Sequence, residues 1–155
     1  MNVKRGTRLL ATAIVAAAAA APFASARLAD DNATAKAVLA AQIVHTKQQQ
    51  ALNACLAASP HKNTPCIRRQ ALLLAKLSGQ EIARIKAAMD GTERACVRKV
   101  ALDELAYLTL WKQGSLLLNA DQRDKAKKLF LKSYGVLNAM NKIEAGCFSQ
   151  ALTGG

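Results

Sequence analysis

Four polar side chains in this sequence could meet and do chemistry: His45, Gln48, Glu104 and Tyr134. His45 lies in IVHTKQQQ, where Val38, Ala41, His45, Gln48, Leu52 and Cys55 recur at the three-and-four spacing of one helix face. That spacing makes the middle of an otherwise apolar stripe polar. Asp103 and Glu104 are the only acids in VALDELAYLTLW, with Tyr107 one turn on and Tyr134 near the middle of a later helical stretch. Brought to one height in a bundle, His45, Gln48, Glu104 and Tyr134 would form a core cluster able to hold a small polar ligand or a metal ion. The plainer reading puts His45 and the glutamines at the wet edge of the buried face, and Asp103 and Glu104 on the solvent side. His61, beside Lys62 in a turn, reads as solvated.

Catalysis needs a nucleophile, base or metal held in a preorganised cleft. The Glu-x-x-His pairs of di-iron bundles, H-E-x-x-H, G-x-S-x-G and the P-loop are all missing from the sequence. The expectation is a protein that is not an enzyme and takes no cofactor or metal. The cysteines fit that picture, since Cys55, Cys66, Cys96 and Cys147 include no C-x-x-C and no adjacent pair.

The remaining chemistry is charge. The formal charge is +12, and setting Lys4, Arg5 and Arg8 aside leaves +9, spread over the length of the chain. Arg123, Lys125, Lys127, Lys128 and Lys132 crowd one segment, with Lys125, Lys128 and Lys132 on one helix face. Arg94, Arg98 and Lys99 make a second group, and Arg68 with Arg69 a third. A basic partner-binding face of Arg123, Lys125, Lys128, Lys132, Arg94 and Arg98 would attract an acidic protein or an anionic envelope component. Beyond residue 26 there are only five aromatic residues, too few for stacking platforms, which argues against nucleic acid.

The elements that must position these groups begin after a leader. Lys4, Arg5 and Arg8 precede an uncharged run from Leu9 to Ala21, Pro22 ends it, and Ala24-Ser25-Ala26 is a small-x-small cleavage pattern. The run has thirteen residues, short of the roughly 20 that cross a bilayer as a helix. Residues 1–26 therefore read as a cleaved secretory signal peptide. Residues 27–155 read as a single secreted or periplasmic domain with no transmembrane segment.

That domain reads as all-α, because no alternating strand pattern persists. The first helix is expected from Asp31-Asn32, as N-cap residues, to about Ser59. The second opens with Thr64 as N-cap and Pro65 in its first turn, and buries Ile67, Ala71, Leu74, Ser78, Ile82, Ile85 and Met89. Ser78-Gly79-Gln80-Glu81 could be a capping box that starts a new helix. The unbroken stripe across it favours one continuous helix. Asp90-Gly91 breaks the chain, Thr92-Glu93 starts the third helix, and Asn119 to Asp121 forms the last turn. The fourth helix carries Ala126, Phe130, Ser133, Leu137, Met140, Glu144 and Cys147 on one face, widened by Leu129, Val136 and Ile143.

Four such helices with short loops predict an antiparallel up-down-up-down four-helix bundle. In that topology Cys55 and Cys66 flank the first turn, while Cys96 and Cys147 meet at the other end, about 30 Å away or more. A disulfide needs Cα atoms within about 7 Å. The pairs must therefore be Cys55–Cys66 and Cys96–Cys147, one clasp at each end.

LNADQ at Leu118 to Gln122 and LSGQE at Leu77 to Glu81 resemble the L-T-x-x-Q segments of the Spy/CpxP family of small helical periplasmic proteins. Asn119 and Ser78 stand where that pattern has threonine, and Glu81 replaces a glutamine. The resemblance implies an ATP-independent chaperone role, an alternative to a dedicated binding protein or to a small-ligand binder in the bundle core.

Overall fold

A computed structural model describes residues 10–153 apart from His61, with side chains from Asp30 onward except Gln150. The expected solvation of His61 lies outside the described residues, as do the first nine residues of the expected leader. Among the described residues four helices follow one another: α1 (Leu10–Ala58), α2 (Pro65–Met89), α3 (Ala95–Asn119) and α4 (Arg123–Thr153). Successive helices pack side by side along their lengths. α1 touches α3 and α4 more sparingly, and α2 and α4 stand diagonally apart. The result is an antiparallel four-helix bundle clasped by two disulfides.

The bonds are Cys55–Cys66 and Cys96–Cys147, each with Cα atoms 5.8 Å apart. They close spans of 11 and 51 residues. Loop entropy assigns them about 3 and about 4 kcal/mol. Paired cysteines of this kind point to an oxidising compartment. No helix among the described residues is long and apolar enough to cross a membrane.

The core runs the length of the bundle, from Val38 and Leu52 through Ile67, Leu74, Ile85, Val100 and Leu108 to Met140 and Phe148. α2 is continuous through Ser78-Gly79, with Ser78 facing the core, so no second helix starts there. Thr64 caps it, its hydroxyl accepting from the Ile67 N–H at 3.4 Å. Ile82 and Met89 sit only partly inside, and the fully inward position beside Ile82 is Glu81. On α4 the face is narrower than expected at Ile143, which is exposed, and is extended by Phe148 and Ala151.

Two helix starts differ from expectation. α1 is helical from Leu10, so Asp31 lies inside it and is not its N-cap. Asp31 instead reaches across the bundle to the start of α3, where its Oδ1 accepts from the N–H groups of Glu93 and Arg94, both at 3.2 Å. Its Oδ2 pairs with Arg94 at 3.4 Å. α3 then begins at Ala95, beyond Thr92-Glu93. The buried Thr92 hydroxyl bonds Thr34 of α1 at 2.6 Å instead.

The opposite end is stitched by its loops. Asn63 donates to the Leu118 carbonyl at 3.0 Å, and Arg123 to the Pro60 carbonyl at 2.7 Å. Asp121 adopts a left-handed φ of 60°. Aspartate tolerates that conformation better than most residues. The N–H groups of Asp121 and Gln122 then close the end of α3 on Leu118 and Leu117.

Candidate functional site

α1 and α3 bring a polar and aromatic layer together at mid-height. His45 is buried, its ring edge-on to Tyr107 and Trp111 with centroids 5.0 Å from each. Trp111 in turn stacks on Phe130 of α4 at 4.3 Å. Gly114 makes that stack possible, because a Cβ there would run into the Phe130 ring. Neither nitrogen of His45 has a hydrogen-bond partner among the described residues, and burial lowers its pKa to about 4. His45 is therefore neutral and wedged among rings.

Glu104, one turn from Tyr107, is wholly buried, and among the described residues neither of its oxygens finds a hydrogen-bond partner. Burial raises its pKa to about 8; the nearby Gln42 amide pulls it back, and the Glu144 carboxylate raises it further. The Gln42 amide is given to Glu144 at 2.8 Å and leaves Glu104 without a bond. The carboxyl is thus held protonated at neutral pH. Burial, then Glu104 and Tyr134, keep the Tyr107 phenol above its ordinary value.

The other two members of the expected cluster lie elsewhere. Gln48 turns toward α2 and donates to Gln70 at 2.6 Å. Tyr134 is exposed, edge-on to Trp111 from outside, and its hydroxyl accepts from Gln49. Asp103 faces outward and pairs with Lys99 at 2.7 Å. Sequence reasoning placed Ser78 in the core but missed two further buried polar residues, Ser115 and Glu81, the latter bonded to Arg84 at 2.9 Å. Helical spacing alone marked Glu81, three residues from Ser78 and four from Ile85.

A narrow crevice lies between His45, Ser78, Glu81 and Leu108, but it leaves no room for a water molecule. Among the described residues no three of His, Cys, Asp and Glu converge as metal ligands do. A wider, shallow groove of about 380 Å³ lies along the α1–α4 seam between Leu39, Glu144, Phe148 and Leu152.

Charge behaves differently in space than in sequence. Residues 45–77 and 107–137 form the half of the bundle around Cys55–Cys66, and carry eleven lysines and arginines against two acids, Asp121 and Asp124. Residues 30–44, 78–106 and 138–153 form the other half and carry seven against eight. The surplus that is spread along the chain is therefore gathered at one end, because an antiparallel zigzag places alternate half-helices together.

The six expected basic residues do not form one face. Arg94 and Arg98 sit at the Cys96–Cys147 end, and Arg94 is engaged by Asp31. Arg123 is tied to the Pro60 carbonyl and lies 3.8 Å from Asp121. Lys125, Lys128 and Lys132 are exposed at the basic end. The two segments likened to Spy/CpxP proteins occupy unlike settings, Leu77 to Glu81 inside α2 and Leu118 to Gln122 across the end of α3 and the turn before α4. Comparison with protein-family models, curated proteins and solved structures finds no match.

Proposed function

We propose that this is an exported, non-enzymatic helical binding protein whose basic end meets an acidic protein or an anionic component of the cell envelope. The observation that carries this reading is the sorting of charge, eleven cations against two acids in one half and near balance in the other. A surplus on that scale repels itself, and an anionic partner is what relieves the repulsion. Export rests on the leader pattern and on the disulfides. The interior favours a surface function, since the crevice at His45 and Glu81 is too tight even for water.

The test is capture from envelope extract with the oxidised protein at low and high salt. Saturable, salt-weakened binding that is lost when Lys125, Lys128 and Lys132 are reversed to glutamate supports the reading. Retention of partners by that variant removes it.

A further inference from the structure

Charge alone does not account for the outward arc of α4. At about 100° per residue, Lys125, Lys128 and Lys132 fall on one side of Leu131 and Lys127 on the other. Leu131 is 60% exposed, and Tyr134, on the same flank as Lys127, is 42% exposed. Among the described residues no neighbouring element comes within 4 Å of where a Gly135 Cβ would sit, so the arc stays open one turn further on. Asp124 is the one acid among these residues, and it leaves the lysines in excess.

A bare leucine and a tyrosine set among lysines is the pattern of a helix lying in a bilayer interface. There the lysine stems extend over apolar surface while the ammonium groups reach the phosphates. A protein partner fits less well. Lysine is depleted from protein–protein interfaces, where arginine is the usual charged anchor. At this end lysines outnumber arginines eight to three, and one of the three, Arg123, is spent on the Pro60 carbonyl. The outer arc of α2 repeats the motif more weakly, with Leu72 48% exposed between Arg68 and Lys76 and no aromatic beside it.

We infer that the α4 face from Lys125 to Tyr134 docks on an anionic phospholipid surface. Lys125, Lys127, Lys128 and Lys132 meet the headgroup phosphates, and Leu131 with Tyr134 enters the interface. The inference rests on the reading above that the basic end is the binding end, and it names the partner.

The experiment is vesicle flotation with the protein recovered from an exporting host, both disulfides formed. It uses vesicles of phosphatidylglycerol in phosphatidylcholine and of phosphatidylcholine alone, with soluble polyglutamate as a second probe. The protein should float with the anionic vesicles and not with the neutral ones. A lysine near an anionic leaflet counts for about fivefold in affinity, so Lys125, Lys128 and Lys132 changed together to Gln should weaken binding about a hundredfold. The same change at the exposed Lys36, Lys86 and Lys142 of the balanced end removes equal charge and should leave affinity within about twofold. Leu131→Ser should weaken vesicle binding about tenfold and leave polyglutamate binding unchanged. Equal flotation with neutral vesicles, equal damage from the control triple, or no effect of Leu131→Ser overturns the inference. Polyglutamate binding through these lysines with vesicles ignored also overturns it, while leaving the anionic-partner reading standing. Binding to neither probe removes both.

Discussion

His45 stays neutral in the folded chain down to about pH 4, and Glu104 keeps its proton up to about pH 8. In the unfolded chain they titrate at 6.5 and 4.5. Between about pH 4 and 6.5 the unfolded state holds an extra proton on His45, so this term lowers stability as pH falls. From 4.5 to about 8 the folded state holds an extra proton on Glu104, so that term lowers stability as pH rises. From 4.5 to 6.5 the two slopes cancel. Stability from denaturant titrations should therefore show a plateau there, with losses on both sides. Glu104→Gln should remove most of the alkaline loss and stabilise the protein at pH 8 while changing little at pH 4.5. A variant that keeps the alkaline fall would mean that Glu104 ionises freely in the fold. The position of Glu104 was legible in the sequence, because 97, 100, 104, 107, 111 and 115 follow one helical stripe. Its residue type suggested solvent, and the period proved the better guide. The same holds for Glu81, whereas Tyr134, one position past the inward Ser133, was read too deep.

At the scale of elements, the number, order and pairing of the helices were legible from apolar spacing and from the breaks at Pro60 and Asp90-Gly91. The cysteine pairs followed from topology and reach. What could not be read was which helix end an aspartate serves. Asp31 has the chemistry of an N-cap, but local sequence cannot say whose N–H groups it meets, and in the fold they belong to α3. α3 needs this help, because its own N-cap position is Arg94, which makes no side-chain capping bond. Asp31→Ala leaves two N–H groups and the Arg94 guanidinium without their acceptor, and should cost about 2 kcal/mol. Asp31→Asn keeps an acceptor but loses the ion pair, and should cost less. Urea unfolding at constant m-value reads both. Equal costs for the two would assign the stabilisation to the charge and not to the cap. Asp31 lies five residues past Ala26, so cleavage at the expected leader site would leave this clasp in place.

At the scale of the molecule, the sorting of charge was hidden because net charge along a sequence carries no geometry. Only the alternation of up and down helices turns four ordinary segments into a basic half and a balanced half. That arrangement has a thermodynamic consequence independent of any partner. Exposed lysines within one Debye length repel each other, and the length shrinks from about 30 Å at 0.01 M salt to about 8 Å at 0.15 M. Lys125 stands in the first turn of α4, where the positive end of the helix dipole opposes it by a few tenths of a kcal/mol, and Lys127 and Lys128 follow in the second turn. Added salt should therefore stabilise the protein. Sulfate should do so more than chloride at equal ionic strength, since an anion held by the folded end but not by the open chain shifts the equilibrium toward the fold. Lys125, Lys128 and Lys132 changed to Gln should raise stability at low salt by about 1 kcal/mol and remove much of the salt response. The same change at Lys36, Lys86 and Lys142 should do neither, because those cations stand among acids. Thermal unfolding across a salt series compares the three proteins directly. If the control triple shifts the curves as far as the α4 triple does, stability follows total charge, and the polarity of the bundle carries no energetic weight. If only the α4 triple shifts them, the basic end is strained by its own charge, and a bound anion relieves that strain.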